Sequence, residues 1–257
     1  MDYVIISLAA LAASGLTLFS GFGLGTLLMP VFALFFPVEV AVAQTAVVHF
    51  ANNLLKLGLF GRRADWRVML LFGVPAFLAG FAGARALMLL SDLQPLYSYT
   101  FFGSQFIVHP VKLVIAVLIA AFSLLELWPA YERLTIDRKY LPAGGLLSGF
   151  FGGLSGNQGA FRSAFLIKSG LGKEAFIGTG VAIACLVDFS RLTVYLGLLR
   201  SPEVKVNLPL IAVAIAAAFL GVFIGSRIVQ KVTIQALQIA VAAMLLLIAI
   251  LLALGVI

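Results

Sequence analysis

The run Ser148-Gly149-Phe150-Phe151-Gly152-Gly153-Leu154-Ser155-Gly156-Asn157-Gln158-Gly159 is too rich in glycine and polar residues to continue a stable helix, yet apolar stretches flank it on both sides. It reads as a break at membrane depth. Backbone that leaves a helix inside a bilayer has to be buried in protein or line a cavity, because lipid cannot satisfy its N–H and C=O groups. The first half of the chain carries a matching interruption, from Ser14-Gly15 through Gly21-Phe22-Gly23-Leu24-Gly25-Thr26, followed by Pro30.

The surroundings decide that the breaks lie in a membrane. Hydrophobic residues make up 63% of the chain and charged residues 11%, with a mean hydropathy of +1.15, well outside the soluble globular range. Apolar runs of spanning length cover about 3–36, 40–60, 67–90, 101–128, 141–168, 174–199, 207–226 and 232–256. These predict an all-α polytopic membrane protein of eight segments. The first and fifth are long, and they are the two that contain glycine breaks. No Lys or Arg precedes the first run, so it reads as a mature segment rather than a secretory signal.

Sliding the second half over the first by 134 positions aligns Ser14-Gly15 with Ser148-Gly149, Gly25 with Gly159, Ala41 with Ala175 and Thr45 with Thr179, without a gap. This predicts an internal duplication: a first transmembrane repeat over 1–128, a charged connecting loop over 129–140 and a second repeat over 141–257. If segments one and five are hairpins that enter and leave on one side, Arg62, Arg63, Arg67, Arg133, Arg138, Lys139, Lys168, Lys173, Arg227 and Lys231 share a face. Only Arg85, Arg200 and Lys205 then lie opposite. The positive-inside rule favours that arrangement over eight simple crossings, with both termini outside the cytoplasmic (inner) membrane. Each repeat then holds one hairpin and three spans, an odd number, so the repeats are inverted relative to each other. Paired glycine-interrupted segments in inverted repeats are the pattern of a secondary transporter whose site lies where the breaks meet.

The motifs also resemble a known family. The glycine-rich opening of each half, Pro30, the signal Ala41-Val42-Ala43-Gln44-Thr45, the run His49-Phe50-Ala51-Asn52-Asn53-Leu54-Leu55-Lys56 and the following Gly61-Arg62-Arg63-Ala64-Asp65-Trp66 are similar to those of the TauE/SafE family, also called the toluene-sulfonate uptake permease family. Leu147 to Gly159, followed by Gly178-Thr179-Gly180-Val181, resembles that family's second signature. The resemblance implies a carrier of small sulfur-containing or organic anions, such as sulfite or sulfonates, across the cytoplasmic membrane, with a proton or sodium ion as the coupling partner.

An anion crossing a low-dielectric core needs its hydration shell replaced. The segments restarting after Gly25 and Gly159 supply helix N-termini with partial positive charge and exposed N–H groups, and Gly23, Gly25 and Thr26 are expected substrate contacts there. In the second segment Gln44, Thr45, His49, Asn52, Asn53 and Lys56 form a polar stripe at spacings of three and four, expected to face the bundle interior. Asn52 and Asn53 are the expected donors to the anion. Lys56 reads equally as a substrate contact or as a side chain reaching the interface, and His49 as a coupling group or a packed core histidine. Ser155, Asn157, Gln158, Arg162 and Ser163 cluster at the second break. Arg162 is the strongest single candidate, because guanidinium matches a pair of oxyanion oxygens and stays charged. Asp188 and Arg191, three apart in the sixth segment, are placed to pair, either as a structural ion pair or as a gate.

No catalytic residue, cofactor or metal set is expected. Cys185 stands alone. Gly153-Leu154-Ser155-Gly156 fits the Gly-x-Ser-Gly of intramembrane serine proteases, but both histidines, His49 and His109, precede Ser155, whereas those enzymes place the base later. A passive anion channel shares the same polar stripe and stands as the alternative. A metal-cation carrier fits less well, because Asp188 is the only carboxylate near a span centre. Net charge is +7, but its Lys and Arg lie mostly in short loops, so nucleic acid is not an expected partner.

Overall fold

A computed structural model describes residues 2–17, 24–128, 136–167, 169–202, 204, 206–228 and 234–257. Ten helices account for most of them: α1 (Asp2–Leu16), α2 (Leu24–Ala33), α3 (Val38–Phe60), α4 (Trp66–Ser91), α5 (Pro110–Leu127), α6 (Leu141–Ser155), α7 (Gly159–Ile167), α8 (Lys173–Arg200), α9 (Leu208–Ile228) and α10 (Ile234–Ala253). Among the described residues α4, α8 and the Leu208–Gly225 part of α9 are long and apolar enough to cross a membrane. Large apolar side chains such as Leu78, Val117, Leu220 and Leu247 point outward from the bundle, as lipid-facing positions do.

The long fifth segment is a hairpin. Gly156 at its tip takes a left-handed conformation (φ 83°) that ends α6 and turns the chain into α7. Phe151 and Phe161 stack near the tip with ring centroids 5.5 Å apart, while Gly144 lies against the ring of Phe165 further down. At the base the Arg138 guanidinium donates to the Ser169 carbonyl, with Nε at 2.7 Å. Entry and exit of this hairpin therefore lie together. With 15 and 9 residues, α6 and α7 reach about 22 and 14 Å at about 1.5 Å per residue, short of a hydrocarbon core of about 30 Å. In the first segment α1 packs on α2. Its connecting residues 18–23, including Gly21 and Gly23, lie outside the described residues.

Two seams join distant parts of the chain: α1 packs on α9, and α4 on α6. Small residues bring the backbones together. A Cβ at Gly149 would lie 2.6 Å from Ala76 Cα, one at Gly153 would lie 2.8 Å from Ala84 N, and one at Gly15 would lie 3.0 Å from Gly221 O. Helices in lipid gain their association from this close approach, since apolar side chains gain nothing by leaving one apolar medium for another. Between the seams α3 packs on α8, and α5 on α10.

The end of the bundle holding the second hairpin's base also holds the turn between α3 and α4. There Arg63 pairs with Glu174, Asp65 N donates to Thr179 Oγ1 at 2.8 Å, and the Asp65 carboxylate caps α4 by accepting from Arg67 N and Val68 N. Arg62, Arg63, Arg67, Arg138, Lys139 and Lys173 all lie at this end. At the opposite end Tyr3 donates to Asn207 Oδ1, and Tyr99 to the Leu254 carbonyl.

One expectation is corrected. Residues 101–128 do not form a single helical segment: a β-hairpin, β1 (Tyr97–Phe101) with β2 (Ser104–Val108), precedes α5, which starts at Pro110. Hydropathy counts Phe, Ile and Val alike in either structure, but this stretch alternates aromatic and β-branched residues with Ser, Thr and Gln, which is strand spacing. Phe102 and Gly103 both take positive φ (46° and 79°), as a two-residue turn matched to strand twist requires.

Gly83 tests the α4–α6 seam, because a Cβ there runs into the Phe150 carbonyl. Gly83→Val is expected to lower the melting temperature of the detergent-purified protein, with a loss of about 1–3 kcal/mol for overpacking. Gly58→Ala, in α3 with open space around it, is expected to leave stability equal or raise it by up to about 1 kcal/mol.

Candidate functional site

The two breaks meet beside α3. A Cβ at Gly25, in the first turn of α2, would lie 3.1 Å from the Gly156 carbonyl oxygen and 3.9 Å from His49 Cδ2. Around this point the polar stripe of α3, the tip of the second hairpin and the middle of α8 form one buried network. Gln44, Thr45, His49, Asn52, Asn53 and Lys56 are all at least nine-tenths buried, as are Thr26, Ser155, Asn157, Gln158, Asp188 and Arg191. Lys56 is drawn into the protein rather than extended to the interface, and only 6% of it is exposed.

Asp188 is the hub. Its Oδ2 accepts from His49 Nδ1 at 2.7 Å and from Asn53 Nδ2 at 2.9 Å. Its Oδ1 accepts from Arg191 Nη2 at 2.7 Å, Arg191 Nε at 3.0 Å and Gln158 Nε2 at 3.3 Å. An ionised carboxylate only accepts, so the His49 tautomer that fits carries its proton on Nδ1. Arg191 and Asp188 are one turn apart on α8, which accounts for their bonds. His49 and Asn53 come from α3, and Gln158 from the hairpin tip.

The tip itself is pinned. Ser148 Oγ donates to the Gln158 carbonyl at 2.9 Å, Arg191 Nη1 to Gly152 O at 3.3 Å, and the Tyr195 hydroxyl to Gly153 O. Ser14 Oγ of α1 donates to Asn52 Oδ1 at 3.1 Å. Ser14, Ser148 and Tyr195 were not among the expected site residues. Tyr195 could have been found, since it follows Arg191 by four positions and so shares its helical face.

Several expected ligands have buried polar atoms with no hydrogen-bond partner among the described residues: both amide atoms of Gln44 and of Asn157, Thr45 Oγ1, Asn52 Nδ2, Gln158 Oε1 and Arg162 Nη1. Native proteins leave few buried polar groups unsatisfied, so a concentration of them is a place prepared for a polar ligand or water. Ser155 differs: its hydroxyl donates back to Phe151 O, in its own helix, at 3.0 Å. Ser163 is half-buried beside Arg162 on α7. Gly23 lies outside the described residues.

Charge is unbalanced here. Asp188 is the one carboxylate of the network, against Arg191, Arg162 and Lys56, and Arg162 lies within electrostatic range of both Asp188 and Lys56. No ion pair to Arg162 or Lys56 occurs among the described residues, where no group of three or more His, Cys, Asp and Glu gathers to hold a metal ion either.

Partnered and unpartnered amides should respond oppositely to truncation. Asn53→Ala removes a donor from a buried carboxylate and is expected to cost about 1–3 kcal/mol in thermal or denaturant unfolding. Asn157→Ala removes two buried groups that have no partner among the described residues and is expected to cost less than about 0.5 kcal/mol or to stabilise.

A family model described as sulfite exporter TauE/SafE matches residues 6–252. No curated protein matches the chain.

Proposed function

The chain belongs to the sulfite exporter TauE/SafE family, a family of membrane-integral transporters, and on that premise we propose that it is a secondary transporter moving small sulfur-containing or organic anions across the cytoplasmic membrane by alternating access. One observation carries the anion class. Arg162 Nη1 is buried with no hydrogen-bond partner among the described residues, as are Asn52 Nδ2 and the amides of Asn157 and Gln44, and Lys56 is buried within electrostatic range of Arg162. A cation taken out of water costs several kcal/mol unless it is paired. A bound monoanion supplies the missing charge, and its oxygens accept from the free N–H groups. A sulfonate or bisulfite presents the paired oxygens that guanidinium recognises.

Two short helices, α2 and α7, begin at the breaks and direct their N-terminal N–H groups toward the same region. Gly25, Thr26 and Ser163 would line its approaches. The reciprocal seams, α1 on α9 and α6 on α4, support a pair of inverted repeats, because under the 134-residue offset each seam maps onto the other. The burial of the network supports a carrier that occludes its substrate over an open anion channel. A coupling proton or sodium ion is the expected second partner, with His49 and Asp188 the groups in position to sense it.

Thermal stabilisation of the purified protein tests the substrate class. Sulfite, thiosulfate or ethanesulfonate at 100 times its Kd is expected to add about 2.7 kcal/mol, and Arg162→Ala to weaken binding at least tenfold. Stabilisation by divalent cations alone would overturn the reading.

The excess of Lys and Arg at the end holding Arg62, Arg63, Arg67, Arg138, Lys139 and Lys173 supports a cytoplasmic location for that end and an outside location for both termini. A cysteine placed at Lys139 is expected to resist an impermeant maleimide applied to intact cells, whereas one at Phe102, which is 93% exposed, is expected to react. The reverse pattern would invert the topology.

A further inference from the structure

A carrier has to cross the membrane empty as well as loaded. With no oxyanion at its centre this site would leave Arg191 and the donors of His49, Asn53 and Gln158 buried with nothing to face, and the cost of such burial would oppose the conformational change. The network shows what fills the role. The Asp188 carboxylate accepts five hydrogen bonds, and its two oxygens are held from different sides: Oδ2 by His49 and Asn53 of α3, Oδ1 by Gln158 of the hairpin tip and by Arg191. The chain has thus built a receptor for an oxyanion's pair of oxygens and seated a carboxylate of its own in it.

We infer that Asp188 is a resident stand-in for the transported anion, which displaces it from Asn53, His49 and Gln158 and which it replaces when the carrier returns empty. This rests on the anion-carrier reading and adds to it an assignment of what the site's donors face when it is empty.

The bonds divide in a way that permits the exchange. Arg191 shares α8 with Asp188, one turn away, so their pairing persists when the carboxylate turns aside. The other three donors belong to α3 and to the tip, and they are the ones that an incoming oxyanion can take over. Arg162 and Lys56 are the further cations near the exchange. From α4, Gly80 meets Ser190 and Phe77 stacks on Phe189 along this stretch of α8, and none of these is charged. Substrate and Asp188 therefore compete for donors, and binding is weaker than the bare site would give. In return the donors of α3 and of the hairpin tip face an oxyanion in the loaded and in the empty carrier, and both can reorient.

Asp188→Asn separates this from a purely structural ion pair. In reconstituted vesicles and in thermal-shift titrations with sulfite, thiosulfate and ethanesulfonate, the variant is expected to bind the anion at least tenfold more tightly than the parent. Its ratio of labelled-anion exchange to net transport is expected to rise at least tenfold, because exchange never requires the empty carrier to return. A structural pair predicts weaker binding, with exchange and net flux falling together, and that result overturns the inference. Equal affinity in parent and variant overturns it as well.

Should Asp188→Asn not yield folded protein, Asp188→Asn combined with Arg191→Gln leaves no unpaired charge at this point. The same rise in the exchange-to-net ratio is expected of it, and an unchanged ratio counts against the stand-in. If none of the three anions binds the parent or either variant, the anion-carrier reading fails and the inference falls with it. Binding in the parent without a gain in the variant removes the inference alone.

Discussion

A carboxylate in the middle of a membrane helix is costly, and the arrangement around Asp188 follows from that cost. Its two oxygens need donors, and no single helix can surround them, because Arg191 reaches only one of the two. The rest must come from elements far away in sequence. His49 and Asn53 reach in from α3, which requires α3 and α8 to pack face to face, and Gln158 reaches in from the hairpin, which requires that hairpin to stop at this depth. Gly156 sets the stopping point, and Arg191 and Tyr195 hold the tip there through the Gly152 and Gly153 carbonyls. Removing the carboxylate would thus take away the reason for several contacts at once.

The surrounding polar atoms fall into two groups with different physical meaning. Those bonded to Asp188 or to backbone, such as Asn53 and Ser155, are satisfied and define a shape. Those with no partner among the described residues, such as the amide of Asn157 and Arg162 Nη1, lie beside the same network and have hydrogen-bonding capacity to spare. A ligand that enters such a region meets donors whose positions are already set.

Much of this was legible in the residues because glycine and polar spacing have direct geometric consequences in lipid. The break at Gly156-Asn157-Gln158, the inward stripe of α3 and the pairing of Asp188 with Arg191 all follow from local spacing. What local spacing cannot supply is partnership across the fold. His49 and Asp188 are 139 positions apart, and nothing near either one indicates that they touch. The burial of Lys56 was open for the same reason: a turn and a half from Gly61-Arg62, it could reach water or protein, and the packing of α3 against α8 decides the matter. The β-hairpin escaped for another reason. Residues 101–108 are apolar enough to extend a membrane segment when summed, and only the alternation over 97–108 distinguishes a strand pair.

The two glycine seams bear on how such a protein is made. Because α1 rests on α9 and α4 on α6, backbone against backbone, the first half of the chain leaves the ribosome with both its seams unfilled. It has no complete interior of its own to fold around. Until the later helices enter the bilayer, α1 and α4 wait in lipid with bare grooves of glycine and alanine, and only the arrival of α6 and then α9 closes them. Assembly is therefore an interlocking of early and late segments, so a prematurely terminated chain presents open grooves to the machinery that clears unassembled membrane helices.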